Sequence, residues 1–330
     1  MRVVIAHRSS VQKARLRVRL AGFPGVNVVR IVSELHETYH FAEHHRPDCI
    51  LISASLANRP EFELLAALLR ILSIRCIILH DTDEVENFPC STRTGPHIIR
   101  ISCDAPDPIL RKVLENAPDL PVWPPATDDY NRQRHSVDPF RIVLIGSSTG
   151  GVDALLRIIS GFPADCPPTL IVQHTGGSYA RSLIRLLDGA TPAKVLPAQN
   201  GQNLSRGEIY LAPDDMAHLQ LCPSRSRQIL LKPGPPVSGH RPSVDALFQS
   251  ALDYADEITA ALLTGMGRDG AAGITALRRA GARTIGQDAA TSVVYGMPRV
   301  AKQMGGIETE LPLSMIGPAL LQVSRTTVAT

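Results

Sequence analysis

Residues 142–152 read Ile-Val-Leu-Ile-Gly-Ser-Ser-Thr-Gly-Gly-Val, an apolar run that passes through a glycine-rich turn into a helical pattern. Glycine permits the sharp turn that joins a strand to a helix, and such a turn lifts one side chain above the carboxyl edge of a sheet. The spacing Gly146-x-Ser148-x-Gly150 matches a nucleophile elbow with Ser148 at its tip. A plain strand-to-helix turn, or a loop that holds phosphate, is the alternative interpretation.

A serine needs a base before it can act as a nucleophile at neutral pH, and two further apolar runs lead to suitable side chains. His174 follows the strand-like residues 169–172. Asp269 follows the strand-like residues 258–263. Because parallel strands end at one edge of a sheet, we expect Ser148, His174 and Asp269 to meet there. Their convergence predicts a catalytic triad more strongly than any one of them does.

Two alternative interpretations use these residues differently. The glycines of Gly265–Gly270 have the spacing of a dinucleotide fingerprint, and Asp288 lies where a ribose-binding acid is expected. Asp269 would then place a negative charge in the loop meant for a pyrophosphate, which opposes binding. An α/β-hydrolase orders its triad serine, acid, histidine. That fold would require His218 or His240 as the base, and neither follows a clear strand of the sheet.

The alternation of short apolar runs and amphipathic helices extends over most of the chain and predicts an α/β protein. Residues 1–117 contain five strand–helix units, which predict a doubly wound (βα)5 domain. Residues 118–139 are rich in proline and polar side chains and predict a linker. Residues 140–330 predict a second α/β domain with a mostly parallel sheet. Short runs inside it are expected to form antiparallel strands of a β-hairpin insertion: residues 208–211, 218–221 and 228–231.

Composition excludes several classes of protein. The chain has 330 residues, of which 44% are hydrophobic and 20% charged, as expected of a globular protein with a core. The net charge is only +3, which argues against a nucleic-acid-binding protein. No apolar stretch approaches the roughly 18 residues that a membrane span needs, so we expect no membrane insertion. Six widely spaced cysteines favour the cytoplasm, and no cluster predicts a metal or another cofactor.

Several longer motifs in the second domain resemble the chemotaxis protein-glutamate methylesterases, the CheB family, over about residues 142–321. The most specific stretch is Leu-Thr-Gly-Met-Gly-Arg-Asp-Gly-Ala-Ala-Gly at 263–273. The others, in chain order, are Gly-Ser-Ser-Thr-Gly-Gly (146–151), Val-Gln-His (172–174), Gly-Glu-Ile-Tyr-Leu-Ala-Pro (207–213), Arg-Pro-Ser-Val-Asp (241–245) and Gln-Asp-Ala-Ala-Thr-Ser-Val-Val-Tyr-Gly-Met-Pro (287–298).

The resemblance implies a serine hydrolase that demethylates glutamate γ-methyl esters on chemoreceptors, releases methanol and also deamidates receptor glutamines. Carried over residue by residue, the nucleophile, base and acid are Ser148, His174 and Asp269. Thr149 and Met266 fall beside the family's active site, and we expect backbone amides around Gly150 and Met266 to stabilise the oxyanion. The implied partners are the cytoplasmic helices of methyl-accepting receptors. A catalytically weak adaptor that docks on those receptors is the alternative.

By its size, its alternation and its place before the linker, the first domain resembles the receiver domain of the same family. Receivers carry an acidic pair after the first strand and a phosphorylated aspartate at the end of the third. This chain has His7 and Arg8 at the first place and Ser53 at the second. Mg²⁺ prefers hard, charged oxygen ligands, and an acyl phosphate needs a carboxylate. We therefore expect a pseudo-receiver that is not phosphorylated, and either control by a docked chemosensory signalling protein or a constitutive enzyme.

Overall fold

The computed structural model describes residues 1–80, 98–115, 141–175, 179–223 and 225–322. The chain divides into two compact units, Met1–Pro125 and Ala126–Thr330. The predicted linker, residues 118–139, lies outside the described residues, and the predicted domain limits stay a prediction. Within the described residues, no helix is both long enough and apolar enough to cross a membrane.

The described part of the first unit contains a five-stranded sheet whose neighbouring strands are all parallel. Its strands are β1 (Arg2–Ala6), β2 (Asn27–Val32), β3 (Cys49–Ser53), β4 (Arg75–His80) and β5 (Ile98–Ser102). Its described helices are α1 (Ser10–Ala21), α2 (Leu35–His45), α3 (Ala54–Ala57), α4 (Phe62–Ile71) and α5 (Asp107–Glu115). The order β2-β1-β3-β4-β5 is that of a doubly wound fold, which confirms the predicted (βα)5 architecture.

The sequence explains how these elements pack. Every residue of β3 is buried, as expected for a central strand that is covered on both faces. Helix α1 begins at the N-cap Ser9, whose side chain accepts a hydrogen bond from the Gln12 amide. The same helix buries Leu16 and Leu20 in a core cluster that includes residues of β1 and β3. Capping and the one-sided apolar pattern therefore place α1 against the sheet.

The described part of the second unit is built on a seven-stranded sheet in which every pair is parallel. Its strands are β6 (Ile142–Ser147), β7 (Thr169–Gln173), β8 (Lys194–Pro197), β9 (Glu208–Leu211), β12 (Ile258–Leu262), β13 (Arg283–Gln287) and β14 (Thr309–Leu311), and a separate antiparallel pair consists of β10 (Ala217–Leu221) and β11 (Ile229–Pro233). The described helices are α6 (Gly151–Ile159), α7 (Ala180–Asp188), α8 (Val244–Ser250), α9 (Ala271–Arg279), α10 (Met297–Gln303) and α11 (Leu313–Leu321).

One of the three predicted antiparallel strands belongs to a different sheet. β9 pairs in parallel with β7 and β8, so its prediction as part of the insertion is wrong. Ile209, Tyr210 and Leu211 are buried, as expected of a strand covered on both faces rather than one with a solvated face. The other two runs form the antiparallel pair β10–β11, which confirms the predicted hairpin insertion.

The sheet order β14-β13-β12-β6-β7-β9-β8 places β12, β6 and β7 side by side. The register pairs Leu262 with Gly146 and Gly146 with Val172, so the three strands end at nearly the same level. At β6 the chain first builds the sheet to one side and later returns to build the other. Open α/β sheets bind ligands at such a point, outside the carboxyl ends of the strands. The loops after these three strands carry Ser148, His174 and Asp269.

Candidate active site

The turn after β6 holds Ser148 between a strand end and a helix start. Its amide donates a hydrogen bond to the Thr264 carbonyl oxygen (3.0 Å), and its carbonyl oxygen accepts one from the Gly151 amide (2.8 Å). Gly150, the N-cap of α6, has a φ of 82°, a conformation that favours glycine. Ser148 is partly exposed. The structure thus presents the Ser148 side chain at the surface of the site on a fixed backbone.

Two glycines let neighbouring elements approach this turn closely. A Cβ atom on Gly265 would lie 2.7 Å from Ser148 Cβ and 2.3 Å from Met297 Sδ. A Cβ atom on Gly146 would lie 2.2 Å from Val244 Cγ1. Such distances are far inside van der Waals contact. Glycine is therefore required at both positions by what packs against them.

His174 and Asp269 are in direct contact. His174 Nε2 lies 3.0 Å from Asp269 Oδ2, and the exposed fractions of the two side chains are 10% and 0%. The His174 amide donates to the Ser147 carbonyl oxygen (3.2 Å). The adjacent Gln173 Nε2 donates to the Ser148 carbonyl oxygen (2.9 Å). The end of β7, which carries the histidine, is therefore tied to the turn that carries the serine.

The Asp269 carboxylate accepts hydrogen bonds at both oxygens. Besides His174, Oδ2 accepts from the Val244 amide (2.8 Å), and Oδ1 accepts from the Ser243 hydroxyl (2.8 Å) and the Asp245 amide (2.9 Å). Burial works to raise the pKa of Asp269, but the bond to His174 and the other hydrogen bonds outweigh it and hold this pKa below its usual value. Asp269 is therefore an anion at neutral pH, anchored to the start of α8.

The contact with Asp269 assigns the tautomer of His174. An ionised carboxylate only accepts hydrogen bonds, so Nε2 carries the proton and Nδ1 keeps a lone pair. Among the described residues Nδ1 finds no hydrogen-bond partner, although it is buried. Buried polar atoms are almost always paired, so Nδ1 can accept a hydrogen bond from a donor outside the described contacts. Ser148 is not yet bonded to it, and such bonds commonly tighten only when a substrate binds.

The chain matches the family model described as CheB methylesterase over residues 143–320. The chain belongs to the CheB methylesterase family. It is similar, at 34% identity, to proteins of Rhizobium johnstonii and Caulobacter vibrioides, both named protein-glutamate methylesterase/protein-glutamine glutaminase 1. Each alignment covers 98% of this chain, with 96% and 98% of the two relatives. The crystal structure of the Thermotoga maritima CheB methylesterase catalytic domain is also similar, with 34% identity and a TM-score of 0.53 over 55% of this chain and 97% of that one.

The supporting residues predicted for this CheB family member lie in two loops that meet at Ser148. Thr149 and Gly150 follow it directly, and the Thr149 carbonyl oxygen accepts a hydrogen bond from the Thr264 hydroxyl (2.9 Å). Met266 follows the glycine that packs on Ser148, and 68% of its side chain is exposed. The loop after β12 is therefore bonded to the turn after β6 and borders the site on its solvent side.

Sequence analysis of this CheB chain missed the groups that hold the acid, namely Ser243 and the amides of Val244 and Asp245. Ser243 is the N-cap of α8, and its hydroxyl accepts from the Ala246 amide (3.2 Å). A serine before a helical run is a sequence signal for a helix start, and the sequence pattern does predict a helix that begins at Val244. The signal does not reveal which distant carboxylate the cap contacts.

Two of the remaining candidates, His218 and Asp288, have hydrogen-bond partners of their own. His218 Nδ1 accepts from the Ser243 amide (3.2 Å) and its Nε2 lies 3.0 Å from the Pro235 carbonyl oxygen, so both ring nitrogens are engaged. The Asp288 carboxylate accepts from the amide and the hydroxyl of Thr291, at 2.9 and 2.6 Å. His218 therefore has no free ring nitrogen with which to act as the base of an α/β-hydrolase triad. The Asp288 carboxylate is occupied by hydrogen bonds within its own turn. Neither alternative interpretation of the sequence gains support from these contacts.

The residues predicted to replace a receiver's acids, His7, Arg8 and Ser53, lie at the carboxyl edge of the first sheet. Arg8 Nη2 lies 3.1 Å from Glu34 Oε1. His7 Nδ1 accepts from a nearby backbone amide (2.9 Å). Ser53 is buried, and its hydroxyl lies 3.0 Å from that of Ser55. Over the described ranges, no group of three or more His, Cys, Asp or Glu side chains could hold a metal.

Proposed function

We propose that this CheB family member is a serine hydrolase that demethylates glutamate γ-methyl esters on chemoreceptors. Ser148 is the nucleophile, His174 the base and Asp269 the acid that orients the base. The observation that carries the proposal is the His174–Asp269 pair, which leaves a buried basic nitrogen without a partner beside the serine turn. The relatives from Rhizobium and Caulobacter are named for this activity.

Acylation begins at the Ser148 hydroxyl. Its oxygen attacks the ester carbonyl carbon while its proton passes to His174 Nδ1. The imidazolium that forms is stabilised by the Asp269 carboxylate. The same proton then passes to the methoxy oxygen as the C–O bond breaks, and methanol leaves. The product is an ester between the receptor glutamate and Ser148.

Deacylation repeats these steps with water in place of the serine. Water attacks the acyl carbon and gives a proton to His174 Nδ1, which returns it to the Ser148 oxygen as that bond breaks. The receptor side chain leaves as a glutamic acid, which releases its remaining proton to solvent and becomes the carboxylate. A glutamine amide passes through the same tetrahedral geometry and releases ammonia instead of methanol, so the proposal includes protein-glutamine glutaminase activity.

Two backbone amides are suited to hold the tetrahedral oxyanion. The Ser148 amide already donates to the Thr264 carbonyl oxygen, and the Gly265 amide donates to that of Val294, each at 3.0 Å. The amides of Thr149 and Met266 donate to no residue in the described part of the chain. Preorganised donors that await a developing charge are the principal electrostatic device of acyl transfer. We therefore assign the oxyanion to the Thr149 and Met266 amides.

We further propose that the first unit is a pseudo-receiver that neither binds Mg²⁺ at its altered site nor accepts a phosphoryl group. The Arg8 guanidinium places a positive charge where a receiver has a Mg²⁺ ligand, and the Ser53 hydroxyl cannot form an acyl phosphate. Control then reaches the enzyme through a chemosensory signalling protein that docks on this unit, or the enzyme is constitutive. Because the substrates are the cytoplasmic helices of receptors, we place the protein in the cytoplasm.

The test measures methanol release from membranes that contain a methylated chemoreceptor. We expect Ser148→Ala to lower turnover by about 10³-fold or more. Ser160→Ala, which changes a serine at the end of α6 in the same unit, is the matched control and should leave turnover unchanged. Turnover by Ser148→Ala at the wild-type rate would refute Ser148 as nucleophile. Receptor binding without methanol release by the wild-type protein would support the adaptor instead.

A further inference from the structure

A second histidine lies on the face of the proposed base. The rings of His174 and His240 are stacked, with 3.9 Å between their centroids and 7° between their planes. His240 is only partly exposed. Nothing in the sequence indicated this contact, because the two histidines lie on segments far apart in the chain. The stack adds a second constraint on a ring that Asp269 holds at one atom.

One hydrogen bond does not fix the orientation of an imidazole. The bond from His174 Nε2 to Asp269 Oδ2 holds one atom of the ring, and a single hydrogen bond still tolerates some rotation of the ring plane about the Cβ–Cγ bond. His174 Nδ1 has no partner among the described residues that would stop this rotation. A flat ring packed on the face of His174 stops it, because rotation would drive the imidazole into its neighbour. The stack therefore determines the direction in which the Nδ1 lone pair points.

The segment that carries His240 is itself held in place. Val237 and His240 exchange two backbone hydrogen bonds of 3.0 Å around a tight turn. The two residues inside this turn, Ser238 and Gly239, have φ of 52° and 83°. The Ser238 hydroxyl lies 2.7 Å from Asp245 Oδ2. The turn is thus hydrogen-bonded to the start of α8, and the same helix start holds Asp269. The two residues that contact His174, namely His240 and Asp269, are therefore both positioned by α8.

The electrostatics of the stack suit a neutral partner. Burial lowers the pKa of His240, the neighbouring His174 lowers it further, and Asp269 acts in the opposite direction. The adjacent Arg241 is turned to other groups, donating to the carbonyl oxygens of Asp215 and Gly234. His240 is therefore uncharged at neutral pH. It offers an aromatic face to the imidazolium that forms during turnover, and it adds no like charge.

We propose that His240 is a positioning residue whose ring sets the plane of the His174 imidazole, so that Nδ1 faces Ser148. The inference rests on the proposed function, in which Nδ1 takes the serine proton. His240 itself takes no proton in the reaction. Its role requires a flat ring at this place rather than the nitrogen atoms of an imidazole, and this requirement can be tested separately from folding.

The test compares His240→Phe, which keeps a flat ring, with His240→Leu and His240→Met, which do not. Methanol release from methylated receptor gives kcat and KM, and thermal unfolding reports folding of the full chain. We expect the Leu and Met variants to lower kcat about tenfold or more, because small displacements of a catalytic group are costly, with little change in KM. His240→Phe should keep kcat within about threefold of wild type.

The matched control is His44→Leu, which removes the stacked ring pair of His40 and His44 (4.3 Å) in the first unit and should change neither constant. Wild-type kcat in His240→Leu and His240→Met would overturn the inference. So would an equal loss of kcat in His240→Phe and in the non-aromatic variants. Absence of methanol release by the wild-type protein would contradict the proposed function and this inference together, so the two failures are distinguishable.

Discussion

Asp269 accepts hydrogen bonds from the start of the helix that contains Asp245, and Asp245 accepts one from the start of the helix that follows Asp269. Asp269, in the loop before α9, accepts hydrogen bonds from the Val244 and Asp245 amides at the start of α8 (2.8 and 2.9 Å). Asp245, in the first turn of α8, accepts one from the Gly273 amide in the first turn of α9 (2.7 Å). Carboxylates near helix amino termini are stabilising. These reciprocal hydrogen bonds connect the starts of α8 and α9 and hold Asp269, the proposed acid, in place.

Loss of the Asp245 carboxylate should weaken the fold. Asp245→Ala removes the acceptors of the Gly273 amide and the Ser238 hydroxyl, and we expect a loss of about 1–2 kcal/mol in the free energy of unfolding. Urea unfolding at pH 7 measures it. Asp253→Ala, at an exposed carboxyl of the same unit, is the control. An unfolding free energy equal to that of wild type would show that these reciprocal hydrogen bonds do not stabilise the fold.

Asp245→Asn should not lower the free energy of unfolding at pH 7 as Asp245→Ala does, and its effect should depend on pH. Burial raises the pKa of Asp245 despite its hydrogen bonds. A carboxyl whose pKa is higher in the folded state stabilises the fold below the unfolded pKa of about 3.9, and this stabilisation is lost as pH rises through the folded pKa. We expect Asp245→Asn to be at least as stable as wild type at pH 7, and its advantage to shrink toward pH 4. Urea unfolding across this range checks the sign, and an advantage that grows in acid would contradict it.

The assigned tautomer of His174 predicts that Asp269→Asn lowers activity. In Asp269→Asn the amide can present its NH₂ group to Nε2, which would move the ring proton to Nδ1 and abolish the base. We expect kcat for methanol release to fall by about 10³–10⁴-fold, as in other triads. Asp253→Asn should keep wild-type kcat. A drop of less than about tenfold in a folded Asp269→Asn would mean that Asp269 does not set the tautomer.

The close approach of Gly265 to Ser148 can be tested with a single methyl group. A Cβ atom at Gly265 would collide with Ser148 Cβ and Met297 Sδ, so Gly265→Ala must displace Ser148 or the loop that carries Gly265. We expect a loss of kcat of about 10²-fold. Gly189→Ala, where the nearest atom lies 3.6 Å away and φ is −70°, should behave as wild type. Unchanged kcat in Gly265→Ala would show that the precise position of Ser148 is unimportant.

The residues at the carboxyl edge of the first sheet predict that the protein is not phosphorylated. Incubation of the protein with Mg²⁺ and a small-molecule phosphodonor should leave no hydroxylamine-sensitive phosphate on it, since Ser53 stands where the acceptor aspartate is expected. Methanol release should likewise be unchanged by the phosphodonor. Ser53→Asp restores only one of the carboxylates, so it should not restore Mg²⁺ binding. A stoichiometric phosphoryl group on the wild-type protein would disprove the pseudo-receiver.

The sequence could predict those residues of the candidate site that directly follow a strand of the sheet. Ser148 and His174 follow apolar runs directly, and parallel strands bring such positions to one edge. Tertiary partners could not be predicted in the same way. Nothing local to Asp269 indicates that Ser243 donates to it, and nothing local to His174 indicates that His240 covers it. These contacts depend on where distant loops return to the sheet.

The fold was predicted well where the apolar patterns are regular and poorly where they are not. β9 was assigned to the wrong sheet, because a short apolar run does not specify its partner strand or its direction. Helix α11 was missed, since Gly317 and Pro318 inside it are residues that usually end helices. Gly317 is explained by packing, because a Cβ atom there would lie 3.1 Å from the Ile158 carbonyl oxygen.

The strand order has a consequence for biosynthesis. β6 and β7 leave the ribosome early and can pair at once, whereas β12 joins the other side of β6 only after the hairpin and α8 have been translated. A nascent or prematurely terminated polypeptide therefore displays the serine and the histidine without the carboxylate that fixes the proton. Ser148, His174 and Asp269 can therefore come together only in a chain that has been translated past β12.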